Sequence, residues 1–523
     1  MASWARGPAA AVDDTGRRPV PDWVILAIAC VAQFMVVLDV SIVNVALPSI
    51  GRDLRYSPTG LQWVVNAYVL TFAGFLLLGG RAADLFGRRR VYLFGLGLFT
   101  LASLLGGVAQ NSAWLTTARA VQGIGGAFLS PATLTIIVTT FSGARMARAL
   151  GLWSAVAGAG GATGSILGGV LTAELSWRWV LFVNIPIGLA AMLAAMWFLT
   201  ELRREPQDGA RQRLDVGGAV TVTVGLGALI YAIVGTDTHA WGSAYTLSIL
   251  GVSAVLLAVF AFIELRMVRR PLVPFRLFTS RSVSGANAVM LLVGAAFFSM
   301  WYFLSLYMQN VRGFSPLRAG VAFLPMALAI IVGAQVSSRL LPRTGVRPLL
   351  LVGTALAAGG FAWLTQIRPD SSYAGHLLGP GCVISLALGL LFTPLASAAT
   401  AGVSMTEAGL ASGVLNTSRQ VGGSLGLAIL ATVATDHTHS LLATGRAAIT
   451  ATSALTAGYA RAFAVAAVLV LAAFACSFVV PSIRTARARG GHGAEAVPTP
   501  VVEEGPAVPA GDELGAAWNP EPA

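Results

Sequence analysis

The chain contains no lysine: all 34 of its basic residues are arginine. Charged residues of either sign fill only 11% of its 523 positions, against about 25% in soluble domains. So little charge cannot cover a water-facing surface, which excludes an ordinary soluble protein. Cysteine is scarce too. Cys30, Cys382 and Cys476 each fall in an apolar run, with no CxxC or paired histidine beside them. That excludes a disulfide framework and a zinc site. Acids number 22, leaving a net charge of +12. Such a balance can mark a nucleic-acid binder, but here the arginines sit in short loops between apolar stretches. They read as topology anchors, and no nucleic-acid partner is expected.

What the chain has in abundance is long hydrophobic runs, with 56% of residues apolar. A helix needs about 20 such residues to cross the hydrocarbon core, and the runs are continuous rather than alternating, which excludes a transmembrane barrel. Runs fall near 23–47, 61–80, 91–110, 113–141, 149–172, 178–199, 216–234 and 244–265. They continue near 282–308, 317–338, 347–366, 376–401, 408–434 and 459–481, giving about fourteen spans. The expected class is an all-α polytopic membrane protein. The first run follows a polar segment holding Arg6, Arg17 and Arg18 and reads as a retained span rather than a cleaved signal. From about Gly490 the composition is that of a disordered tail.

Most arginines gather in alternate loops, including Arg81, Arg88, Arg89, Arg90, Arg145, Arg148, Arg203 and Arg204, then Arg266, Arg269, Arg270, Arg339 and Arg343. By the positive-inside rule these loops face the cytoplasm, and an even number of spans puts both termini there. An internal repeat is legible. The segment Gly80 to Arg89, leaving the second span, is echoed by Ser338 to Arg347, leaving the tenth. Gly126 and Pro131 are echoed by Gly389 and Pro394. Two six-helix halves, 23–200 and 282–481, are therefore expected, with two inserted helices in the linker 201–281 and tails at 1–22 and 482–523.

The turn Gly80-Arg81-Ala82-Ala83-Asp84-Leu85-Phe86-Gly87-Arg88-Arg89 is the most specific signal. Its glycines let a helix end turn tightly. Asp84 is placed to engage a helix start or a basic partner. The pattern resembles the loop motif of the major facilitator superfamily, which implies a gating or structural role for Gly80, Asp84, Gly87, Arg88 and Arg89. Further segments narrow the likeness. Leu38-Asp39-Val40-Ser41-Ile42-Val43-Asn44-Val45-Ala46-Leu47-Pro48 resembles the first-helix signature of the fourteen-span drug:proton antiporters. Arg119 to Ala127 is similar to the fourth-span motif associated with proton transfer, and Gly158 to Leu171 to the fifth-span antiporter motif. Trp177-Arg178-Trp179 with Asn184 fits the start of span six, and Ala408 to Gly423 fits span thirteen. One departure stands out: where the family's fifth-span motif reads Gly-Pro, this chain has Gly164-Ser165, followed by Gly168 and Gly169.

The resemblance implies the major facilitator fold and a proton-coupled exporter of drug-like organic molecules in the cytoplasmic membrane. Protons, small organic substrates and lipid are then the partners, a single chain the unit, and no cofactor or metal is needed. Asp39 is the acid deepest in a span and the expected coupling site, because intramembrane carboxylates are costly and usually functional. Arg119 is its expected counter-charge. Aromatic and polar residues on the spans are candidates for a substrate cavity: Trp63, Tyr68, Gln122, Phe298, Trp301, Tyr302, Asn416 and Arg419. Three rivals remain open. One is an importer or uniporter of another solute on the same fold. Another is an intramembrane enzyme, against which stands the lack of HExxH or paired intramembrane aspartates. The third is a transport-dead sensor, which would not need an intact Asp39 and Arg119. His437 and His439, beside Asp436, fall in an expected external loop, 435–458, and read as incidental.

Overall fold

Backbone groups in hydrocarbon must bond within their own segment, so each long apolar run folds as a helix. The computed structural model describes residues 20–199, 214–236, 239–268, 271–273, 275–403, 407–444 and 450–482, apart from the side chains of residues 84, 143, 144, 147, 154 and 157. The expected end tails and the charged stretch after Glu201 lie largely outside these residues, as does the Asp84 side chain.

Spans one to five are single helices: α1 (Asp22–Asp53), α2 (Trp63–Phe86), α3 (Arg88–Gly107), α4 (Ser112–Thr140) and α5 (Gly143–Glu174). Span six is broken at Val183 into α6 (Trp179–Phe182) and α7 (Asn184–Phe198). The inserted pair is α8 (Val216–Gly235) and α9 (Ala244–Phe262). Span nine is α10 (Arg281–Leu306); span ten divides at Phe323 into α11 (Pro316–Ala322) and α12 (Leu324–Thr344). The last four are α13 (Val346–Leu364), α14 (Gly379–Thr400), α15 (Ala408–Ala443) and α16 (Ala451–Ser477). Thirteen helical stretches are long and apolar enough to cross a membrane. The fourteenth expected span is α15, a 36-residue helix whose polar residues lower its hydropathy. It also corrects one boundary. His437 and His439 lie on α15, not in a loop, because no proline or glycine interrupts the chain between Gly426 and Ala443.

The two halves repeat their packing. In the first, α1 lies on α5 while α2 and α3 flank α4; in the second, α10 lies on α15 while α12 and α13 flank α14. The turn motif repeats as well. Gly87 (φ 93°) joins α2 to α3 and Gly345 (φ 81°) joins α12 to α13, each as the single residue between two helices. Only glycine adopts that backbone without strain. Two residues on, Arg89 donates to the Met196 carbonyl at 2.9 Å near the end of α7. Arg347 does the same for the last helix, donating to the carbonyls of Val480 at 2.8 Å and Phe478 at 2.9 Å. Arg89 therefore satisfies a carbonyl that a helix end leaves bare, and Arg347 satisfies two in the turn that follows α16. Arg347→Ala should cost about 1.5–3 kcal/mol, the range for hydrogen bonds to charged groups. It is read as a melting-temperature drop of the detergent-solubilised protein, and an unchanged melting point would remove this role.

The inserted helices pack on each other, and α8 alone of the two rests substantially on the body, against both α2 and α15. Most of α9 remains exposed to lipid. At the end of the molecule away from Gly87, Asp53 accepts from Trp177 Nε1 at 2.8 Å and pairs with Arg178 at 2.7 Å. This pair ties the start of span six to the end of span one.

Candidate functional site

Asp39 lies midway along α1, where the surrounding helix is apolar, and is wholly buried. A charge there survives only if paired. Its partner is Arg119 on α4, also buried, whose NH1 stands 2.5 Å from Asp39 Oδ2. The other carboxylate oxygen accepts from Gln122 Nε2 at 2.7 Å and Asn184 Nδ2 at 3.0 Å. Ser103 Oγ braces both amides, accepting from Gln122 at 2.6 Å and from Asn184 at 3.1 Å. Arg119 also donates to Gln122 Oε1 at 2.7 Å and to the Val64 carbonyl at 3.1 Å. Each contact on Asp39 thus brings a donor to a carboxylate oxygen, the arrangement that a charged carboxylate satisfies. Five helices converge on one ion pair: α1, α2, α3, α4 and α7. The pair sits inside the first half, off the cavity described next.

A cavity of about 1820 Å³ lies between the halves. At one end its lining reaches the helix termini: Gly80 and Arg81 on α2, Val138 on α4, Arg276, and Glu407 at the start of α15. Arg276 and Glu407 form an ion pair at this mouth. At the other end the lining stops at Asn44, Val45, Ser165 and Trp301, well inside the helices. There the halves touch. Ser305 Oγ donates to the Asn44 carbonyl at 2.8 Å and Gln309 Nε2 to the Val45 carbonyl at 2.9 Å. The cavity is therefore open on the side of the Gly80–Arg90 turn and shut on the opposite side.

Of the cavity candidates read from the sequence, Tyr68, Phe298, Trp301, Asn416 and Arg419 line this space. Three lie elsewhere. Gln122 belongs to the ion-pair network. Trp63 packs toward Tyr231 of α8, ring centroids 6.3 Å apart. Tyr302 is buried inside the second half against Phe303. Tyr68 connects the two features: it lines the cavity, and its ring lies 4.4 Å from the Arg119 guanidinium carbon.

The glycine-rich α5 forms part of the shut end. A Cβ added at Gly164 would sit 2.7 Å from Ser41 Cβ and 2.8 Å from the Leu38 carbonyl oxygen, and one at Gly168 would sit 2.7 Å from the Ile42 carbonyl oxygen. Small residues four apart thus let α5 lie directly on the α1 segment that carries Asp39. The next positions round, Ser165 and Gly169, face α11, where a Cβ at Gly320 would meet the Ser165 carbonyl oxygen at 2.1 Å. Ser165, in the place of the family's proline, leaves α5 unbroken. Its hydroxyl donates to the Gly161 carbonyl at 3.2 Å and lies 3.0 Å from Ser41 Oγ.

Ser103 and Asn184 are members of the network that the sequence reading did not assign. Their signal was faint, since neutral polar residues are common in spans. Glu264 is a second buried acid, 3% exposed, at the end of the eighth span. It accepts from the amides of Leu272 at 3.2 Å and Val273 at 3.1 Å, holding the chain that returns to the mouth.

Residues 29–427 match the family model described as Major Facilitator Superfamily. The chain is 45% identical to the cephamycin export protein CmcT of Amycolatopsis lactamdurans, over 88% of this chain and 92% of that one. It is 42% identical to the puromycin resistance protein pur8 of Streptomyces alboniger, over 87% and 90%. Among solved structures, a bacterial homolog to the human lysosomal transporter Spinster shares the fold with a TM-score of 0.62, at 17% identity over 89% of this chain and 97% of that one. Matched by that family model over most of its length and built of helical spans around a central cavity, the chain belongs to the major facilitator superfamily, as a multi-pass membrane transporter and not an enzyme.

Proposed function

We propose that this transporter exports drug-like organic molecules, antibiotics among them, from the cytoplasm in exchange for protons. The observation that carries the reading is the position of Tyr68. Its ring is at once a wall of the cavity and a cover over the guanidinium of Arg119, which in turn holds Asp39. A substrate pressing on that ring bears on the ion pair without touching it. The cavity is large for a single drug-sized ligand, for which about 300–1,000 Å³ is usual, and its wall is largely apolar with aromatic rings. Such a wall accepts varied shapes. The export and resistance functions named for CmcT and pur8 point the same way.

The cycle runs as follows. With the mouth open to the cytoplasm, Asp39 is charged and clasped by Arg119, Gln122 and Asn184, and substrate enters past Tyr68. When the halves rock and the other side opens, Asp39 takes a proton from the more acidic exterior. The neutral acid no longer holds Arg119, which frees the guanidinium to shift and lets substrate leave. Return to the cytoplasmic side releases the proton. Both termini and the arginine-rich turns lie in the cytoplasm on this reading.

The test is a drug-susceptibility panel in an exporter-deficient bacterial host. Expression should raise the inhibitory concentration of at least one antibiotic several-fold, and a protonophore should abolish the gain. Raised accumulation of the same compound would instead assign an importer, and protection that survives the protonophore would remove proton coupling.

A further inference from the structure

We infer that the molecules this cavity holds carry an anionic group, a carboxylate on an apolar or aromatic body, and that Arg419 is the residue that binds it. The inference rests on the export reading and narrows its substrate class.

Two arginines lie within the membrane-embedded body beside the cavity, and they are satisfied very differently. Arg119 has a carboxylate, a side-chain amide oxygen and a backbone carbonyl. Arg419, on α15, has none of the first kind. Its Nε and NH2 both donate to a single oxygen, Asn416 Oδ1, at 3.2 and 2.8 Å. The Phe392 ring centroid lies 5.9 Å from its guanidinium carbon. A guanidinium carries five N–H donors, so a single amide oxygen leaves most of them unmet. Among the described residues no carboxylate pairs with it.

Its place in the cavity sharpens the point. The α15 wall begins at Ala408 by the mouth and ends inside at Arg419 and Gln420, a depth of about 16 Å along the helix. The acids that line the cavity, Asp215 and Glu407, are at the mouth and engaged there. Glu407 pairs with Arg276, and Asp215 caps α8 by accepting from the Gly218 amide at 2.8 Å. Among the described residues the inner wall thus carries one positive charge and no acid to balance it. Aromatic rings, Phe298, Trp301 and Phe392, complete the wall.

Arg419 faces the cavity, and its N–H groups not bonded to Asn416 are left for water or a ligand. An anionic ligand would bring the missing carboxylate to a fork built to receive it in bidentate fashion, while its body rests on the rings. Export of a monoanion against one entering proton then moves two charges in the same sense, so the membrane potential assists the step.

The experiment uses the full-length protein in phosphatidylcholine nanodiscs, which keep anionic headgroups out of the assay. A panel of amphipathic carboxylates, with cefoxitin and carboxyfluorescein among them, is titrated beside the methyl ester of each. The parental protein should bind at least one carboxylate roughly tenfold more tightly than its ester. Arg419→Gln should erase that preference, and Arg419→Lys should keep part of it. The inference is overturned if no carboxylate outbinds its ester in the parental protein, or if the preference survives Arg419→Gln. The export reading is judged separately, in proteoliposomes carrying a pH gradient. Should the preference for carboxylates hold while no gradient-driven movement of either form occurs, the anion site stands and the export reading falls.

Discussion

Asp39→Asn is expected to leave the protein in the membrane and to abolish export driven by a proton gradient. The substituent is nearly isosteric, and its neighbours can adapt. Asn184 Oδ1 has no partner in the native network, so a flip of that amide supplies one acceptor for the nitrogen introduced, while Gln122 Nε2, which donates to the same oxygen, must turn away. What cannot be replaced is the charge. Arg119 keeps Val64, Gln122 and the Tyr68 face but loses its carboxylate, and breaking a buried pair costs about 3–5 kcal/mol. A lowered melting temperature should accompany the transport defect. Adding Arg119→Gln removes the stranded charge and should recover much of the stability, because a neutral pair of similar volume is often no worse than the ion pair. It should not recover transport. One proton crossing 100 mV is worth about 2.3 kcal/mol, enough to sustain a substrate gradient of roughly fifty-fold, and both variants should let that gradient decay to unity. Inverted vesicles with an imposed pH gradient measure it. Parental accumulation in either variant would show that protons couple elsewhere.

The second large effect should come from a single methyl group at the shut end. A Cβ at Gly320 falls 2.1 Å from the Ser165 carbonyl oxygen, which is backbone and cannot turn away. Gly320→Ala must therefore part α11 from α5. The two hydrogen bonds nearby, Ser305 to Asn44 and Gln309 to Val45, would go with it. At roughly 1 kcal/mol for each bond and about 1–3 kcal/mol for overpacking, the state with this side closed loses about 3–5 kcal/mol. That shifts its population against the alternative by roughly 150-fold to 5,000-fold. Neither half is disturbed internally, so folding should persist. In a background with Cys30, Cys382 and Cys476 replaced, Asn44→Cys should react with an externally added impermeant maleimide far faster when Gly320→Ala is present. An unchanged labelling rate would mean that this contact does not set which side is open.

Much of this architecture was legible in the sequence because hydrophobic length is a strong signal and unpaired charge in lipid a severe penalty. The runs gave the spans. The rule that a buried acid needs a base left Arg119 and Arg419 as partners for Asp39, and the family resemblance chose Arg119, 80 positions away. The spacing of three between Arg119 and Gln122 already puts both on one helix face, so the membership of Gln122 in the ion-pair network was derivable, although the aromatic candidates drew it toward the cavity. Trp301 and Tyr302 are neighbours in sequence and so point about 100° apart on a helix. Only one faces the cavity, and composition alone does not say which. The extension of α15 past Thr435 escaped notice because Asp436, His437 and His439 look like loop residues, whereas helix formation tolerates polar side chains wherever no breaker intervenes. The closure at the shut end was out of reach as well. It depends on a backbone approach between Gly320 and Ser165, two residues from different halves.

The placement of α8 has a bearing on how molecules dissolved in the bilayer reach the central space. Near the mouth side its Thr223 abuts Gly74 of α2, and toward the other end the Ile233 carbonyl receives Thr432 of α15. One flank of the cleft between the halves is thus roofed along its length by a helix that touches both walls. The opposite flank, where α5 runs past α12, has no such roof among the described residues. There Gly158 of α5 and Ile331 of α12 both line the cavity, so a greasy solute sliding in sideways from the bilayer is expected to arrive on that flank.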